Sequence, residues 1–131
     1  MAVIPDQFQD LLTGKKAFAN LATVMKDGSP QVTPIWFDYT DGKIRVNTAR
    51  GRVKSRTLRK GAAVAMSIMD PDNPYRYLQV RGRVVTVTEE GADAHIDSLA
   101  NKYLGKKYPF RQPGEVRIKY EIEPTSSQSQ S

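Results

Sequence analysis

The chain has 131 residues, a length that suits one domain with a single modest core. It contains no cysteine, which excludes disulfides, thiol catalysis and iron–sulfur clusters, and no apolar run approaches the ~20 residues of a membrane helix. Twenty basic residues against fourteen acidic ones give a net charge of +6, which favours an anionic ligand or partner.

The first half of the chain alternates apolar segments with glycine turns. Apolar residues at helical spacing predict a helix over residues 5–13. Asp27-Gly28 and Asp41-Gly42 each favour a hairpin, because glycine takes the positive φ that such turns need. The further predicted elements are strands over 17–25, 31–39, 43–48 and 62–69, and a charged, helix-compatible segment over 51–60.

The second half contains one long strand and one long helix. Residues 70–74 are predicted as a loop, because two prolines in five residues do not suit a ladder. Residues 75–88 follow as a long strand, in which Gly82 marks a bulge or bend. We expect Thr88 to cap a helix of about 16 residues that ends at Leu104. Residues 115–123 alternate apolar and charged side chains, which predicts a half-exposed strand.

These elements predict a mainly β fold with short flanking helices. About six antiparallel strands with tight hairpins favour a closed or nearly closed barrel. Pro124 is expected to end the last strand. We therefore predict one barrel domain over residues 1–124 and a disordered Ser/Gln tail over residues 125–131.

The strongest chemical signal is a segment of basic residues that contains no acid. It consists of Arg50, Arg52, Lys54, Arg56, Arg59 and Lys60. The segment follows a strand and opens a predicted helix at Gly51, where backbone N–H groups favour an anion. Arg52 and Lys54 suit phosphate, although a solvated helix face is the open alternative.

Two weaker signals are a proline within a strand and a single histidine. Pro34 opens the ladder beside Trp36, so this stretch either accepts a ligand ring or forms a barrel edge with a core tryptophan. His95 is expected on the helix surface without a catalytic role. One histidine and no cysteine argue against a protein metal site and a Ser-His-Asp hydrolase. Redox chemistry would therefore need an organic cofactor.

Seven segments occur in an order that is typical of one enzyme class. They are residues 21–24, 27–37, 46–48, 51–56, 74–82, 96–105 and 108–109. Together they cover roughly residues 8–124 and resemble the flavin/deazaflavin-dependent split β-barrel oxidoreductases. Within that class the chain is most similar to the deazaflavin-dependent branch of the pyridoxamine-phosphate-oxidase-like proteins.

The resemblance implies a split β-barrel reductase that moves a hydride from a reduced cofactor to a conjugated small molecule. It implies coenzyme F420, an 8-hydroxy-5-deazaflavin, as the cofactor, with FMN as the second choice. It also implies a homodimer with the cofactor sites at the interface. We expect the protein to be cytoplasmic, with neither a nucleic acid nor a membrane as its partner.

The resemblance also assigns cofactor-binding residues by position, and it assigns no catalytic residue and no metal ligand. Arg52 and Lys54 would hold the phosphate, and Asn47 and Thr48 would lie where the third predicted strand meets it. Tyr77 would line the ring pocket from the partner subunit or from its own. The residues implied along the ring are Gln31, Thr33, Pro34 and Ile35.

One departure and three alternatives accompany this hypothesis. The second predicted strand lacks the basic residues with which the oxidases of the class grip FMN, which favours a reductase. An FMN-dependent enzyme of the same fold is one alternative, and a non-catalytic cofactor carrier is another. A barrel that binds single-stranded nucleic acid is disfavoured, because the positive charge is concentrated in one segment and not along a stripe with interleaved aromatic residues.

Overall fold

The computed structural model describes residues 3–130, which form seven strands and four short helical segments. The strands are β1 (Ala19–Val24), β2 (Pro30–Ile35), β3 (Asp38–Thr40), β4 (Lys43–Ala49), β5 (Ala63–Asp70), β6 (Asn73–Thr88) and β7 (Arg117–Gln130). The helical segments are a 3-10 turn (Asp6–Phe8), α1 (Gln9–Thr13), α2 (Val53–Thr57) and α3 (Ala92–Leu104).

The strands form one antiparallel sheet that curls until its two edges lie close together. Its order is β2-β1-β5-β6-β7-β4-β3, so that β2 and β3 lie on opposite edges. Only Trp36 and Phe37 connect these two strands along the chain. Three Cα–Cα steps span at most about 11 Å, so the sheet must curl until its edges are close. The predicted split β-barrel is confirmed, with seven strands in place of about six.

The additional strand arises because the predicted strand over 31–39 is broken at Phe37. The Phe37 N–H donates to the Tyr103 hydroxyl (3.3 Å), and its carbonyl accepts from Lys102 Nζ (2.8 Å). Both partners belong to α3, and Pro34 has no N–H to offer a ladder. The backbone of Phe37 is thus bound by a helix, and the chain passes from one sheet edge to the other.

The core fills the interior of the barrel and extends under the N-terminal helix. Phe8, Leu11 and Leu12 are buried against it, which confirms the predicted helix near residues 5–13. Phe37, between β2 and β3, is also buried, and the other large buried side chains come from alternate positions of the strands. They include Leu21, Ile44, Met66, Ile68, Leu78, Tyr120 and Ile122. The period of two in these strands places every second side chain inside.

Two predicted helices begin or end elsewhere. The segment over 51–60 contains only the five-residue α2, because Leu58 leaves helical geometry at ψ 56°. The helix expected from Thr88 begins at Ala92 instead, after Gly91 in the left-handed region at φ 73°. The Thr88 hydroxyl accepts the Glu90 N–H (3.0 Å), so it closes a turn before the helix and does not cap it.

The predicted disordered tail is wrong for residues 125–130, and Ser131 lies outside the described residues. β7 continues through Pro124 to Gln130 and pairs with the first half of β6. Pro124 is tolerated because it lies opposite Gly82, where the β6–β7 register shifts. The same shift confirms the bend predicted at Gly82. The domain boundary at residue 124 is therefore not supported.

The predicted loop over 70–74 is also shorter than expected. Only Pro71 and Asp72 lie in the turn, and Pro74 belongs to β6. The register with β5 pairs Asp70 with Asn73 and then Met69 with Tyr77. Pro74 therefore lies in an unpaired bulge, where its missing N–H costs no ladder hydrogen bond.

Among residues 3–130, no helix has the length and apolar character needed to cross a lipid bilayer.

Candidate functional site

A cavity of about 280 Å³ lies where β2, β4, α2, α3 and the start of β7 meet. Its wall is apolar and aromatic on one side, formed by Phe18, Pro34, Ile35, Trp36, Ile96, Leu99, Tyr108 and Phe110. Its other side carries Asn47, Thr48, Arg52, Lys54 and Arg117. Two cavities of similar volume, about 330 and 340 Å³, are lined by described residues that include arginine but no aromatic ring.

The cavity contains six of the nine cofactor-binding residues that the sequence predicts. They are Pro34, Ile35, Asn47, Thr48, Arg52 and Lys54. Gln31 and Thr33 lie further along β2, half-buried opposite Thr23 and Leu21 of β1. Tyr77 lies on β6 opposite Met69, and its hydroxyl contacts Gln130 (3.4 Å). These three residues do not line the cavity of their own chain, and their role in binding stays a prediction.

Arg52 and Lys54 are the cations of this cavity that have the weakest protein partners. Gly51 turns the chain at φ 92°, after which extended Arg52 precedes the first residue of α2. Arg52 Nη2 lies 3.5 Å from Glu115 Oε1, a long contact on a half-exposed side chain. Half-buried Lys54 has no ion-pair partner among residues 3–130. Its pKa is lowered by burial and then by the charge of Arg52.

The other members of the basic segment do not line the cavity. Arg50 pairs with Glu89, and Arg56 Nη1 donates to the Gly51 carbonyl (3.4 Å). Arg56 and Arg59 line a separate cavity with Val53. Of the basic segment, only Arg52 and Lys54 therefore line this cavity.

The aromatic wall is held by contacts from α3 and the segment that follows it. The rings of Trp36 and Tyr103 stack at 5.3 Å with an interplanar angle of 6°, and Tyr108 meets Trp36 edge-on at 6.2 Å. The Tyr108 N–H donates to Asp97 Oδ1 (3.0 Å), which fastens the segment to α3. Trp36 is thus half-buried in the wall, between the two sequence-based alternatives of a ligand contact and a core residue.

Arg117 is a buried cation of the cavity that the sequence analysis missed. Its Nε donates to Asn47 Oδ1 (2.9 Å) and its Nη1 to Glu115 Oε1 (2.6 Å), while the guanidinium lies 5.1 Å from the centre of the Tyr108 ring. Burial raises the pKa of Glu115, but hydrogen bonds from Arg117 and the Gln112 N–H lower it further, so the carboxyl is ionised. The alternation in β7 predicted an exposed Arg117, and no local signal distinguishes it from Lys119.

His95 lies behind the same wall and not on the helix surface, so its predicted placement is wrong. It is 4% exposed, because the face of α3 that carries it packs on β4 and β7. Its Nδ1 lies 3.1 Å from Asn47 Nδ2, and its Nε2 lies 3.3 Å from Asp38 Oδ2. Burial raises the pKa of Asp38, but the contacts with His95 and the paired Arg45 outweigh it, and the net pKa falls to about 2.

Within the described part of the chain, no three His, Asp or Glu side chains are close enough to hold a metal ion.

Comparisons with known proteins give one family and several similar structures. A family model described as Pyridoxamine 5′-phosphate oxidase matches residues 4–128. No curated protein matches the chain. A solved structure described as an F420 reductase is 34% identical, with a TM-score of 0.83, and the match covers 95% of this chain and 98% of that one.

Two further structures are more distant and show the fold alone. A conserved hypothetical protein from Mycobacterium tuberculosis is 22% identical, with a TM-score of 0.77, over 99% of this chain and 86% of that one. An FAD and heme binding protein from Mycobacterium smegmatis is 16% identical, with a TM-score of 0.72, over 98% of this chain and 71% of that one.

Proposed function

The chain belongs to the pyridoxamine 5′-phosphate oxidase family, and we propose that within this family it is a deazaflavin-dependent reductase of conjugated small molecules. The observation that carries the proposal is the combination of two weakly paired cations with an aromatic wall in one cavity. The 34% identity to a structure described as an F420 reductase supports the deazaflavin over other flavin-type cofactors.

The residues present fit a ligand that has a phosphate at one end and a planar ring system at the other. Arg52 and Lys54 would hold the phosphate, because a hydrogen bond from a cationic donor to an anionic oxygen is stronger than one between neutral groups. The apolar wall around Ile35 and Trp36 would hold the ring and exclude water. When bound, reduced coenzyme F420 supplies a hydride that an unsaturated carbon of the substrate accepts.

This chain's contribution to catalysis is then positioning. The wall residues would hold the cofactor ring and the conjugated substrate in contact, which lowers the entropic part of the activation free energy. Among residues 3–130, no Asp, Glu or His side chain lines the cavity, since His95 is behind the wall and Glu115 is paired with Arg117. We therefore assign the balancing proton to water.

We further propose that two copies of the chain complete the site. A cavity of about 280 Å³ lies below the usual 300–1,000 Å³ of sites that enclose drug-sized ligands. Phe18 and Phe110, at the rim, are 46% and 58% exposed, so a second protein surface would cover apolar area there. Sedimentation at micromolar concentration should show a dimer. A monomer with and without cofactor would contradict the shared site.

Cofactor binding tests the proposed function directly. The purified protein is titrated with oxidised coenzyme F420 and, separately, with FMN, while absorbance and fluorescence report the bound ring. We expect saturable binding of F420 that is tighter than that of FMN, followed by turnover of conjugated substrates with reduced F420. Tighter binding of FMN would make this an FMN enzyme. Binding of F420 without turnover of any substrate in a broad panel would indicate a carrier.

A further inference from the structure

Arg117 has one guanidinium nitrogen left for a ligand. Nε and Nη1 are bound by Asn47 and Glu115, whereas Nη2 has no hydrogen-bond partner among residues 3–130. The side chain is only 3% exposed, yet it lines the cavity. Among the described residues, the fully buried side-chain polar atoms that lack a hydrogen bond are His95 Nε2 and the Tyr120 hydroxyl. Nη2 is not one of them, so it is not closed off from solvent. The free nitrogen therefore borders the cavity space.

Asn47 uses its side-chain amide to orient Arg117. Its Oδ1 accepts from Arg117 Nε, so its Nδ2 faces the Ala92 carbonyl (2.9 Å) and His95 Nδ1 (3.1 Å). Both amide donors are thereby occupied within the protein. Although Asn47 lines the cavity, its donors are not available to a ligand, and its effect on a ligand passes through Arg117.

His95 in turn orients Asn47. Because Asn47 Nδ2 is a donor, His95 Nδ1 must accept, which places the ring hydrogen on Nε2. Nε2 lies 3.3 Å from Asp38 Oδ2, a close polar contact without hydrogen-bond geometry, and Arg45 holds Asp38 through both carboxyl oxygens (2.7 and 2.8 Å). A chain of polar contacts thus runs from β3 through α3 and β4 to the guanidinium in the cavity.

The charges around the cavity indicate which ligand atom Nη2 recognises. Arg52, Lys54 and Arg117 with the single carboxylate of Glu115 leave two positive charges. Two charges match a phosphate dianion at Arg52 and Lys54. The charge of Arg117 is balanced by that of Glu115. Arg117 therefore offers a ligand an oriented N–H donor at Nη2 and little net charge. Such a donor suits a neutral carbonyl oxygen on the planar part of the ligand.

We propose that Arg117 is a ligand-binding residue that donates from Nη2 to a carbonyl oxygen of the bound planar ligand, and that Asp38, His95 and Asn47 are positioning residues for it. The inference deepens the proposed function and depends on its assignment of the cavity as the cofactor site. It adds a third, neutral-oxygen contact to the two phosphate contacts.

The first test measures binding of oxidised coenzyme F420 to Arg117 variants. Arg117→Lys keeps the charge beside Glu115 but loses the fork, and we expect binding to weaken roughly ten- to a hundredfold. The double variant Glu115→Gln/Arg117→Met removes both charges, which avoids an unpaired buried carboxylate, and should weaken binding similarly. Arg50→Ala, at a surface pair with Glu89, is the control and should bind as the wild type does.

The second test examines the positioning residues, with and without ligand. His95→Gln can still accept from Asn47 and face Asp38, whereas His95→Leu cannot. We expect F420 binding near the wild-type level for His95→Gln and weaker binding for His95→Leu. In the ligand-free protein, NMR of the arginine Nε–H groups should show slow exchange for Arg117 in the wild type and in His95→Gln, and fast exchange in His95→Leu.

The outcomes separate this inference from the proposed function. If the wild type binds F420 and Arg117→Lys binds it equally well, Arg117 does not contact the ligand and the inference fails alone. If His95→Leu leaves both binding and Nε–H exchange unchanged, the positioning role fails. If the wild type binds FMN in place of F420, weaker FMN binding by Arg117→Lys supports the inference, and unchanged FMN binding overturns it. Binding of neither by the wild type overturns the proposed function and this inference together.

Discussion

The pairing of each cation in residues 50–60 decides which of them is free to hold an anion. Lys54 has no ion-pair partner among the described residues, and Arg52 has only a long contact with Glu115. Each charge-assisted bond to a phosphate contributes about 1.5–3 kcal/mol. Lys54→Ala and Arg52→Ala should therefore weaken cofactor binding by roughly ten- to a hundredfold. Titration with F420 measures this loss.

The stability of the same variants gives an independent check. Removing one of two neighbouring positive charges relieves repulsion, so the ligand-free melting temperature should be unchanged or slightly higher. The rise in melting temperature on adding cofactor should be smaller than in the wild type. Arg59→Ala is the matched control, because Arg59 lies beyond α2 and lines a different cavity. Equal weakening in all three variants would mean that the segment acts as a diffuse field.

Gly82 is the residue at which the barrel wall leaves no room for a side chain. A Cβ at this position would lie 2.4 Å from the Glu123 carbonyl oxygen and 3.0 Å from Ile122 Cγ2. Gly82→Ala should therefore force β6 and β7 apart and reduce the free energy of unfolding by about 1–3 kcal/mol. Urea denaturation measures the loss.

Gly14→Ala is the control for this effect. Its added Cβ would lie 3.5 Å from the Asp10 carbonyl oxygen, an ordinary contact, and its φ of −106° suits any residue. We expect a change within about 0.5 kcal/mol. If Gly82→Ala is as stable as Gly14→Ala, a Cβ fits at the bend and the predicted clash with the Glu123 carbonyl is wrong.

At the scale of elements, the C-terminal half of β7 completes the sheet beside β6. Residues Ser126–Gln130 pair with Tyr77–Arg81, and the Thr125 hydroxyl donates to the Arg81 carbonyl (3.1 Å). The Ser127 hydroxyl also donates to the Val3 carbonyl, which ties the two ends of the described chain together. The polar composition of this segment does not prevent pairing. The hydrogen bonds between strands come from backbone N–H and C=O groups, which serine and glutamine supply as well as apolar residues do.

Deleting residues 125–131 should destabilise the fold. The deletion leaves backbone groups of β6 without partners, and several net hydrogen-bond contributions of about 1 kcal/mol each are lost. We expect a loss of roughly 2 kcal/mol or more in the free energy of unfolding, measured by urea denaturation. Ser129→Ala keeps the backbone pairing with Leu78 and changes only an exposed side chain, so it is the control and should be as stable as the wild type. A deletion protein as stable as the wild type would restore the prediction of a disordered tail.

At the scale of the whole molecule, an ion cluster joins the N-terminal helix to the β5–β6 hairpin. Arg76 contacts Asp10 (2.8 Å) and Asp70 (2.9 Å), and Lys15 contacts Asp70 (2.9 Å) and Asp72 (3.0 Å). Hydrogen bonds from Lys15 first, and from the Asp72 N–H next, lower the pKa of Asp70 to about 2. Asp38, on the edge strand β3, has its pKa lowered to about 2 as well.

These two carboxyl groups predict loss of stability in acid. Their pKa values in the folded protein lie below the unfolded value of 3.8, so the ionised groups stabilise the fold fully above that value. This stability is lost as the pH falls from about 4 to about 2. Urea denaturation between pH 6 and pH 2.5 should show the decline.

Asp70→Asn should be less stable at pH 6 and should lose less stability on acidification, because one of the two groups no longer titrates. Glu123→Gln, at an exposed position without an ion pair among the described residues, is the control and should parallel the wild type. An Asp70→Asn profile parallel to that of the wild type would show that the cluster does not contribute to acid sensitivity.

Sequence alone was sufficient for the order of elements, the hairpins at Gly28 and Gly42 and the bend at Gly82. It was also sufficient for the family and for the two cations that face the cavity. These features depend on local properties: the period of side-chain burial, the φ that a turn requires, and short segments in a fixed order. Each can be recognised from residues that are neighbours along the chain.

Only the tertiary structure decided the break at Phe37, the strand after Pro124 and the burial of Arg117 and His95. Each depends on partners that are distant in the chain: Tyr103 lies 66 residues from Phe37, Asn47 lies 48 from His95, and Arg117 lies 70 from Asn47. A charged or polar side chain is buried where such a partner offsets its desolvation. Periodicity records which face a residue is on, but not whether another element supplies that partner.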